Sequence, residues 1–123
     1  MIRINRLIKK LKKDNKITKV KSTGKETKKY PIVLLGDGAS ASASELLIGC
    51  LKDNLGATLI GTKTFGKGTV QELITLTNGD QYKITTKEWL TPNGNSINNV
   101  GIAPDVLIEL SSEYYLNPID END

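Results

Sequence analysis

A chain of 123 residues with a formal net charge of +3 makes one small domain with one modest core. It has no histidine and a single cysteine, Cys50, which excludes a Ser-His-Asp triad, a disulfide and a zinc site built within the chain. No apolar run is long enough to span a bilayer, and no secretory apolar segment follows Met1.

The charge is split. Residues 1–30 carry 12 Lys/Arg against Asp14 and Glu26, while residues 31–123 carry five lysines against 12 acids. A basic arm of this kind suits nucleic acid or an acidic membrane surface. It has no aromatic residue before Tyr30 for base stacking, however, and no recognisable binding fold, so a solvated or intramolecularly paired face is expected and no nucleic-acid partner. Ile4, Leu7, Ile8 and Leu11 follow helical spacing, whereas Lys16 to Lys21 alternates like a strand, with Asp14-Asn15 able to turn between them. The arm, residues 1–29, therefore reads as a helix or a strand pair, followed by a polar loop from Ser22 to Lys29.

Pro31-Ile32-Val33-Leu34-Leu35 is a short continuous apolar run, the pattern of a buried strand in a parallel sheet. From Gly36 to Ser44 the chain holds only Gly, Ala and Ser apart from Asp37, residues that let a backbone turn sharply. Ala43, Leu46, Leu47, Cys50, Leu51 and Asn54 then share one helical face, with a stop at Asn54 and Gly56. Cys50 on that face reads as a buried structural thiol. Strand 31–35, helix 43–54 and strand 57–61 make a βαβ unit, which puts Ser42 at the C-terminal edge of the sheet, where α/β sites lie.

Ser42 has two readings. Ser42-x-x-Glu45 is a capping box, with Ser42 as N-cap and Glu45 at the third helical position. Ser42 also stands where free backbone N–H groups and the positive end of a helix converge, a place able to stabilise an oxyanion. A nucleophilic serine needs a base, and without histidine the remaining candidate is lysine, which must be neutral and hence shielded from water. Lys67 suits that role: Gly66 and Gly68 remove bulk on both sides, and Phe65 and Val70 are expected to cover it.

Gly61-x-x-x-x-Gly66-Lys67 also begins like a phosphate-binding loop, but Gly68 stands where Ser or Thr would hold magnesium. A strand follows instead of a helix. Ile74 and Leu76 alternate, Asn78-Gly79-Asp80 turns, and Tyr82 and Ile84 alternate, so a hairpin with Leu76 opposite Tyr82 and Ile74 opposite Ile84 is expected. The strand continues through Lys87 to Leu90, and Trp89 reads as packing. Pro92 to Asn95 is a turn, Pro104 to Ile108 begins a last strand, and Glu113 to Asp123 is an acidic tail.

Several of these stretches together carry a resemblance. Ser40-Ala41-Ser42-Ala43-Ser44-Glu45, Thr64-Phe65-Gly66-Lys67-Gly68 with Gln71, Thr91-Pro92-Asn93-Gly94 and Gly101-Ile102-Ala103-Pro104-Asp105 resemble, in order, the motifs of the C-terminal processing (tail-specific) proteases, the S41 serine peptidases. The resemblance covers roughly residues 30 to 110. It implies an α/β fold, part of a crotonase/ClpP-like protease core in which the βαβ unit precedes an antiparallel hairpin. It also implies a serine endopeptidase acting on protein or peptide substrates without cofactor or metal. Carried onto this chain, it makes Ser42 the nucleophile, Lys67 the general base and Gln71 the residue that positions the lysine. The Ala43 N–H lies at the oxyanion position.

Family members also have a PDZ domain and an upstream Asp-Leu-Arg-x-Asn-x-Gly-Gly segment. That segment supplies a core strand and a second oxyanion donor. Neither lies in these 123 residues. The expected organisation is a basic arm over 1–29, a partial peptidase domain over 30–110 and the acidic tail over 111–123. Such a partial domain is expected to be inert alone, and to self-associate or pair with the missing segment. A remnant serving as a binding or scaffold module is the alternative. The family works outside the cytoplasm, in the periplasm or at the cell surface, and this sequence shows no signal that would take it there.

Overall fold

The structure, a computed structural model, describes residues 7–22 and 31–111. Its first element is a hairpin, β1 (Leu7–Lys13) and β2 (Lys16–Lys21), paired antiparallel with Leu11 opposite Thr18 and Lys13 opposite Lys16. Asp14 and Asn15 form the turn at φ 48° and 61°, the two positive values that a type I′ hairpin turn requires and that these residue types tolerate. The strand pair thus prevails over the helical spacing for residues 7–12. β1 gains a second hydrogen-bonded neighbour in β6 (Gln81–Leu90), with Leu11 opposite Trp89, and an isolated helical turn has nothing to match that. Expectations for residues 1–6, 23–30 and 112–123, including the loop after Ser22 and most of the acidic tail, lie outside the described residues.

The βαβ unit forms as expected: β3 (Val33–Gly36), α1 (Ala43–Leu55) and β4 (Thr58–Gly61), with β3 and β4 parallel from Val33 opposite Thr58 to Gly36 opposite Gly61. A short strand, β7 (Val106–Leu107), joins β4 on its other side, giving the order β3-β4-β7. Gly56 ends the helix at φ 66°, its N–H donating to Lys52 O at 2.9 Å while the N–H of Ala57 reaches Leu51 O. That is the left-handed stop glycine makes without strain.

The helix is rotated from its expected face. Glu45, Ile48 and Gly49 are buried, Leu46, Cys50 and Leu51 are half-buried, and Leu47 is 56% exposed. Gly49 causes the rotation: a Cβ there would lie 3.0 Å from Thr91 Cγ2, so the smallest residue faces the closest neighbour and the leucines turn aside. Cys50 is half-buried, and desolvation pushes its thiol above the ordinary value.

β3 does not meet the expectation of a buried strand. Leu34 is half-buried, but Val33 and Leu35 are 59% and 80% exposed, and β3 is an edge strand. Only the helix side of this sheet is covered among the described residues, with Leu59 fully buried beneath Ile48 and Gly36.

β5 (Thr69–Thr75) and β6 form the expected hairpin and complete the order β2-β1-β6-β5. Its register differs from expectation by two residues: Ile74 opposes Tyr82 and Glu72 opposes Ile84. The loop is Thr77-Asn78-Gly79, because the Leu76 N–H donates to Asp80 O at 2.8 Å and Gly79 takes φ 91°. The glycine supplies the positive φ that closes a three-residue loop, and this pulls the closing pair back to Leu76 and Asp80. Trp89 and Leu90 are buried with Ile97 in the core, consistent with a packing role for the tryptophan.

Asp105, just before β7, ties that segment to α1 and to β4. Its Oδ2 accepts the Leu59 N–H at 2.7 Å and pairs with Lys52 Nζ. The Lys52 hydrogen bond and then the Leu59 N–H hold its carboxyl below the usual range. A depressed carboxylate contributes stability above its unfolded pKa, about 3.9, and loses it as pH falls through the lower folded value. Replacing it by Asn should flatten the acid limb of a urea-stability profile while leaving neutral pH less affected, because the amide oxygen still accepts from Leu59. In the same assay Leu59→Ala should cost about 2–5 kcal/mol at every pH, the range for a buried leucine.

Candidate active site

The turn after β3 is built by Asp37. Its Oδ1 accepts the N–H groups of Ala39 and Ser40 and the Ser40 hydroxyl, each at 3.0 Å. These donors, the Ser40 hydroxyl foremost, hold the Asp37 carboxyl below its usual range. The chain then enters α1 through Ser42 at φ 55°, ψ −110°. A residue with a Cβ costs about 1–3 kcal/mol in such a conformation and keeps it only where its surroundings enforce it. It is the conformation of a sharp strand-to-helix elbow that presents a side chain outward, and Ser42 is exposed. The next N–H, that of Ala43, stands at the first helical position and has no acceptor within the helix.

Glu45 supplies the enforcement. It is fully buried, and its two carboxylate oxygens take four donors. Oε2 accepts the Ser42 N–H at 2.9 Å and the Lys67 N–H at 2.8 Å. Oε1 accepts the Thr64 hydroxyl and the Gly66 N–H, both at 2.6 Å. One side therefore caps the helix, as the sequence pattern anticipates, while the other fastens the glycine-lysine loop. A carboxylate accepts at several lone-pair positions, which is why one side chain can satisfy all four.

The late Gly101-Ile102 motif straps this loop from outside. Thr64 Oγ1 accepts the Ile102 N–H at 2.7 Å, Thr64 N–H donates to Ile102 O at 3.1 Å, and Asn99 N–H donates to Gly66 O at 2.8 Å. The contact is too close for side chains. A Cβ on Gly101 (φ 72°) would lie 2.2 Å from Thr64 O, one on Gly66 would lie 2.9 Å from Gly101 N, and one on Gly68 would lie 2.7 Å from Asn98 N. The glycines around Lys67 serve this close approach of two backbones.

Of the residues singled out from sequence, Ser42 and Lys67 are brought together through one oxygen atom, with Ala43 beside the first. Gln71 lies farther along, on exposed β5, next to a bulge between Val70 and Gln71. Among the described residues its side chain makes no hydrogen bond to Lys67. The expected apolar cover of Lys67 is not found either. Lys67 is exposed and Phe65 is 64% exposed, because the strap packs on the loop's backbone and leaves its side chains outside. Glu45 and Thr64 were missed as parts of the site. Glu45 carried a signal only as a cap, and nothing near Thr64 in sequence points to residues 19 and 38 positions away.

A cavity of about 420 Å³ opens at the C-terminal ends of the parallel strands, lined by Leu35, Asp37, Ser40, Ile60 and Ile108 among others. No group of three or more metal-ligating side chains occurs among the described residues. Removing the Glu45 carboxylate would strand four donors in or near the core. Glu45→Ala should therefore cost more than about 3 kcal/mol in urea unfolding, the scale of a broken buried polar network. Glu45→Gln, which keeps the shape but turns an N–H₂ toward a donor, should fall between that and wild type.

The sequence profile of peptidase family S41 matches residues 2–108. A carboxy-terminal-processing protease of Bartonella bacilliformis is 46% identical over 86 residues, which are 70% of this chain and 20% of that protein. The carboxy-terminal processing protease CtpB of Bacillus subtilis is 41% identical over 98 residues, 80% of this chain and again 20% of the relative. The chain thus spans about a fifth of the length of these curated relatives. Among solved structures, a photosystem II D1 C-terminal processing protease superposes with a TM-score of 0.79 at 31% identity, over 88% of this chain and 29% of that one. The tricorn protease shares the fold alone, with a TM-score of 0.51 at 20% identity. With its serine turn, its glycine-lysine loop and the strap that joins them all accounted for in one fold, the chain belongs to peptidase family S41.

Proposed function

We propose that these residues carry the Ser-Lys half of a serine endopeptidase of the C-terminal processing type, acting on protein or peptide substrates. The observation that supports it most is the shared Glu45 Oε2, which ties the backbone of Ser42 to that of Lys67. In the proposed reaction a neutral Lys67 amine takes the proton of Ser42 Oγ as Oγ attacks the substrate carbonyl. The Ala43 N–H donates to the oxyanion, the tetrahedral intermediate collapses, and the departing amine takes the proton from Lys67. Water then attacks the acyl-serine with Lys67 again as base. Gln71 orients the lysine once substrate or a further segment closes over β5. The family's setting outside the cytoplasm is proposed for the whole protein; among the described residues no helix is long and apolar enough to cross a membrane.

The exposure of Lys67 bears on these residues taken alone. We therefore propose that the 123-residue chain is inert by itself, and needs a further segment to cover Lys67, add an oxyanion donor and extend the sheet beside β3. The same exposure favours, as a second reading, a non-catalytic module that keeps the fold.

Two measurements separate these readings. In the first, the 123-residue chain and its Ser42→Ala form are incubated with an unstructured protein. Ser42-dependent turnover of about 1 s⁻¹ or more would overturn the inert reading. In the second, a chain completed with the rest of the peptidase domain should cleave. Ser42→Ala and Lys67→Ala should each lower its turnover by several orders of magnitude, with little added loss in the double variant. Cleavage near wild type in the Lys67→Ala form would remove lysine as the base, and no cleavage by the completed chain would favour the non-catalytic module.

A further inference from the structure

The two sheets have four described edges of backbone, β2, β5, β3 and the two-residue β7, and they are not treated alike. β2, at one side of the four-stranded sheet, carries Lys16, Lys19 and Lys21, all exposed, the charge pattern that keeps an edge from pairing. β3, in the other sheet, is four residues long. β5 has seven residues, no lysine and no proline, and Leu73 and Ile74 are 61% and 46% exposed on its opposite faces. It begins two positions after Lys67, so this edge, the longest of the four and unguarded among the described residues, runs outward from the candidate base.

The hydrogen-bond phase of that edge follows from the hairpin. The Leu76 N–H donates to Asp80 O, so Leu76 and Asp80 form a hydrogen-bonded pair. Hydrogen-bonded and open pairs alternate along an antiparallel ladder, and the register continues through Ile74 opposite Tyr82 and Glu72 opposite Ile84. Ile74 and Glu72 thus bond to β6, while Gln71, Leu73 and Thr75 direct their N–H and C=O groups to the open side. An extended polypeptide carries the matching row of donors and acceptors.

We infer that the free edge of β5 is the substrate-docking strand, taking an extended peptide with apolar side chains as an added strand that leads toward Ser42 and Lys67. The occupant is taken to be a peptide on the strength of the peptidase reading above. The backbone groups of Gln71, Leu73 and Thr75 supply sequence-tolerant hydrogen bonds. Leu73 and Ile74 supply apolar contact on either face of the added strand.

The test is made on the Ser42→Ala form of the 123-residue chain, so that binding is read without cleavage. The probe is a short unstructured peptide of alternating Leu and Ser with a free C-terminal carboxylate. At saturation, amide exchange at Gln71, Leu73 and Thr75 should slow by about tenfold or more, with less change at Glu72 and Ile74. Leu73→Pro removes an outward N–H and no ladder bond, a substitution edge strands tolerate, and should weaken binding about tenfold. Peptides N-methylated at alternate residues leave the protein untouched: one phase of methylation should abolish binding and the other should not. Protection confined to β2 or β3, equal binding by both methylated phases, absence of binding, or occupation of β5 by a second copy in sedimentation would each overturn the inference. In the completed chain, Ser42-dependent cleavage unaffected by Leu73→Pro would reject the docking edge and leave the peptidase reading intact. Edge protection together with cleavage that ignores Ser42 would do the reverse.

Discussion

A single buried carboxylate organises this small structure. Glu45 has no cation beside it in the hydrogen-bond set; it is satisfied by three backbone N–H groups and one hydroxyl. A buried charge is tolerable only when its acceptor sites are filled, so the helix start, Thr64 and the glycine-lysine loop must all be in place at once. At Ser42 the N–H turns back to Glu45 while the carbonyl accepts the Leu46 N–H at 3.0 Å, so the strained elbow is held at both its backbone groups. The candidate nucleophile and the candidate base are thus fastened to one side chain.

The second requirement is space. The Gly66–Gly68 loop and the turn through Gly101 approach closely enough that a Cβ on Gly66, Gly68 or Gly101 would fall within 3 Å of backbone atoms. Such spacing converts the late motif into a brace for the loop. It also leaves the loop's side chains, Phe65 and Lys67, on the outside. The backbone of the candidate site is therefore braced within these residues, whereas Lys67 itself is left exposed. A basic hairpin, β1 and β2, shares a sheet with β6 and so with the strand that follows Lys67, which makes the N-terminal strands part of the support for the hairpin that carries Gln71.

Apolar surface is unevenly covered. The helix side of the parallel sheet buries Leu59 beneath α1, but Val33, Leu35, Val106 and Ile108 are exposed. Parallel sheets are ordinarily covered on both faces. A chain that spans about a fifth of its curated relatives and whose described residues leave one face bare is physically consistent with a core completed by further polypeptide.

Local residue chemistry by itself determined much of this protein. The βαβ unit was readable because an apolar run, a helical period and a second apolar run follow one another between small turn residues. Histidine's absence left lysine as the candidate base, and the ordered motifs around Ser42, Lys67 and Gly101 pointed to the family. The hairpin of β5 and β6 was readable from alternation, but its register was not, since Gly79 rather than the Asn78-Gly79-Asp80 triplet decides which pair closes the loop. The choice of strand over helix for β1 came from pairing with β6, a partner about 80 positions away in register, which no local pattern encodes. The same holds for the face of α1, set by Gly49 against Thr91, and for the exposure of Lys67 and β3. Only the tertiary structure disclosed that Glu45 serves both ends of the site, because its other donors come from Thr64, Gly66 and Lys67. A capping box in sequence specifies one hydrogen bond back to the helix start; the remaining acceptor capacity of the carboxylate is spent on whatever the fold brings to it.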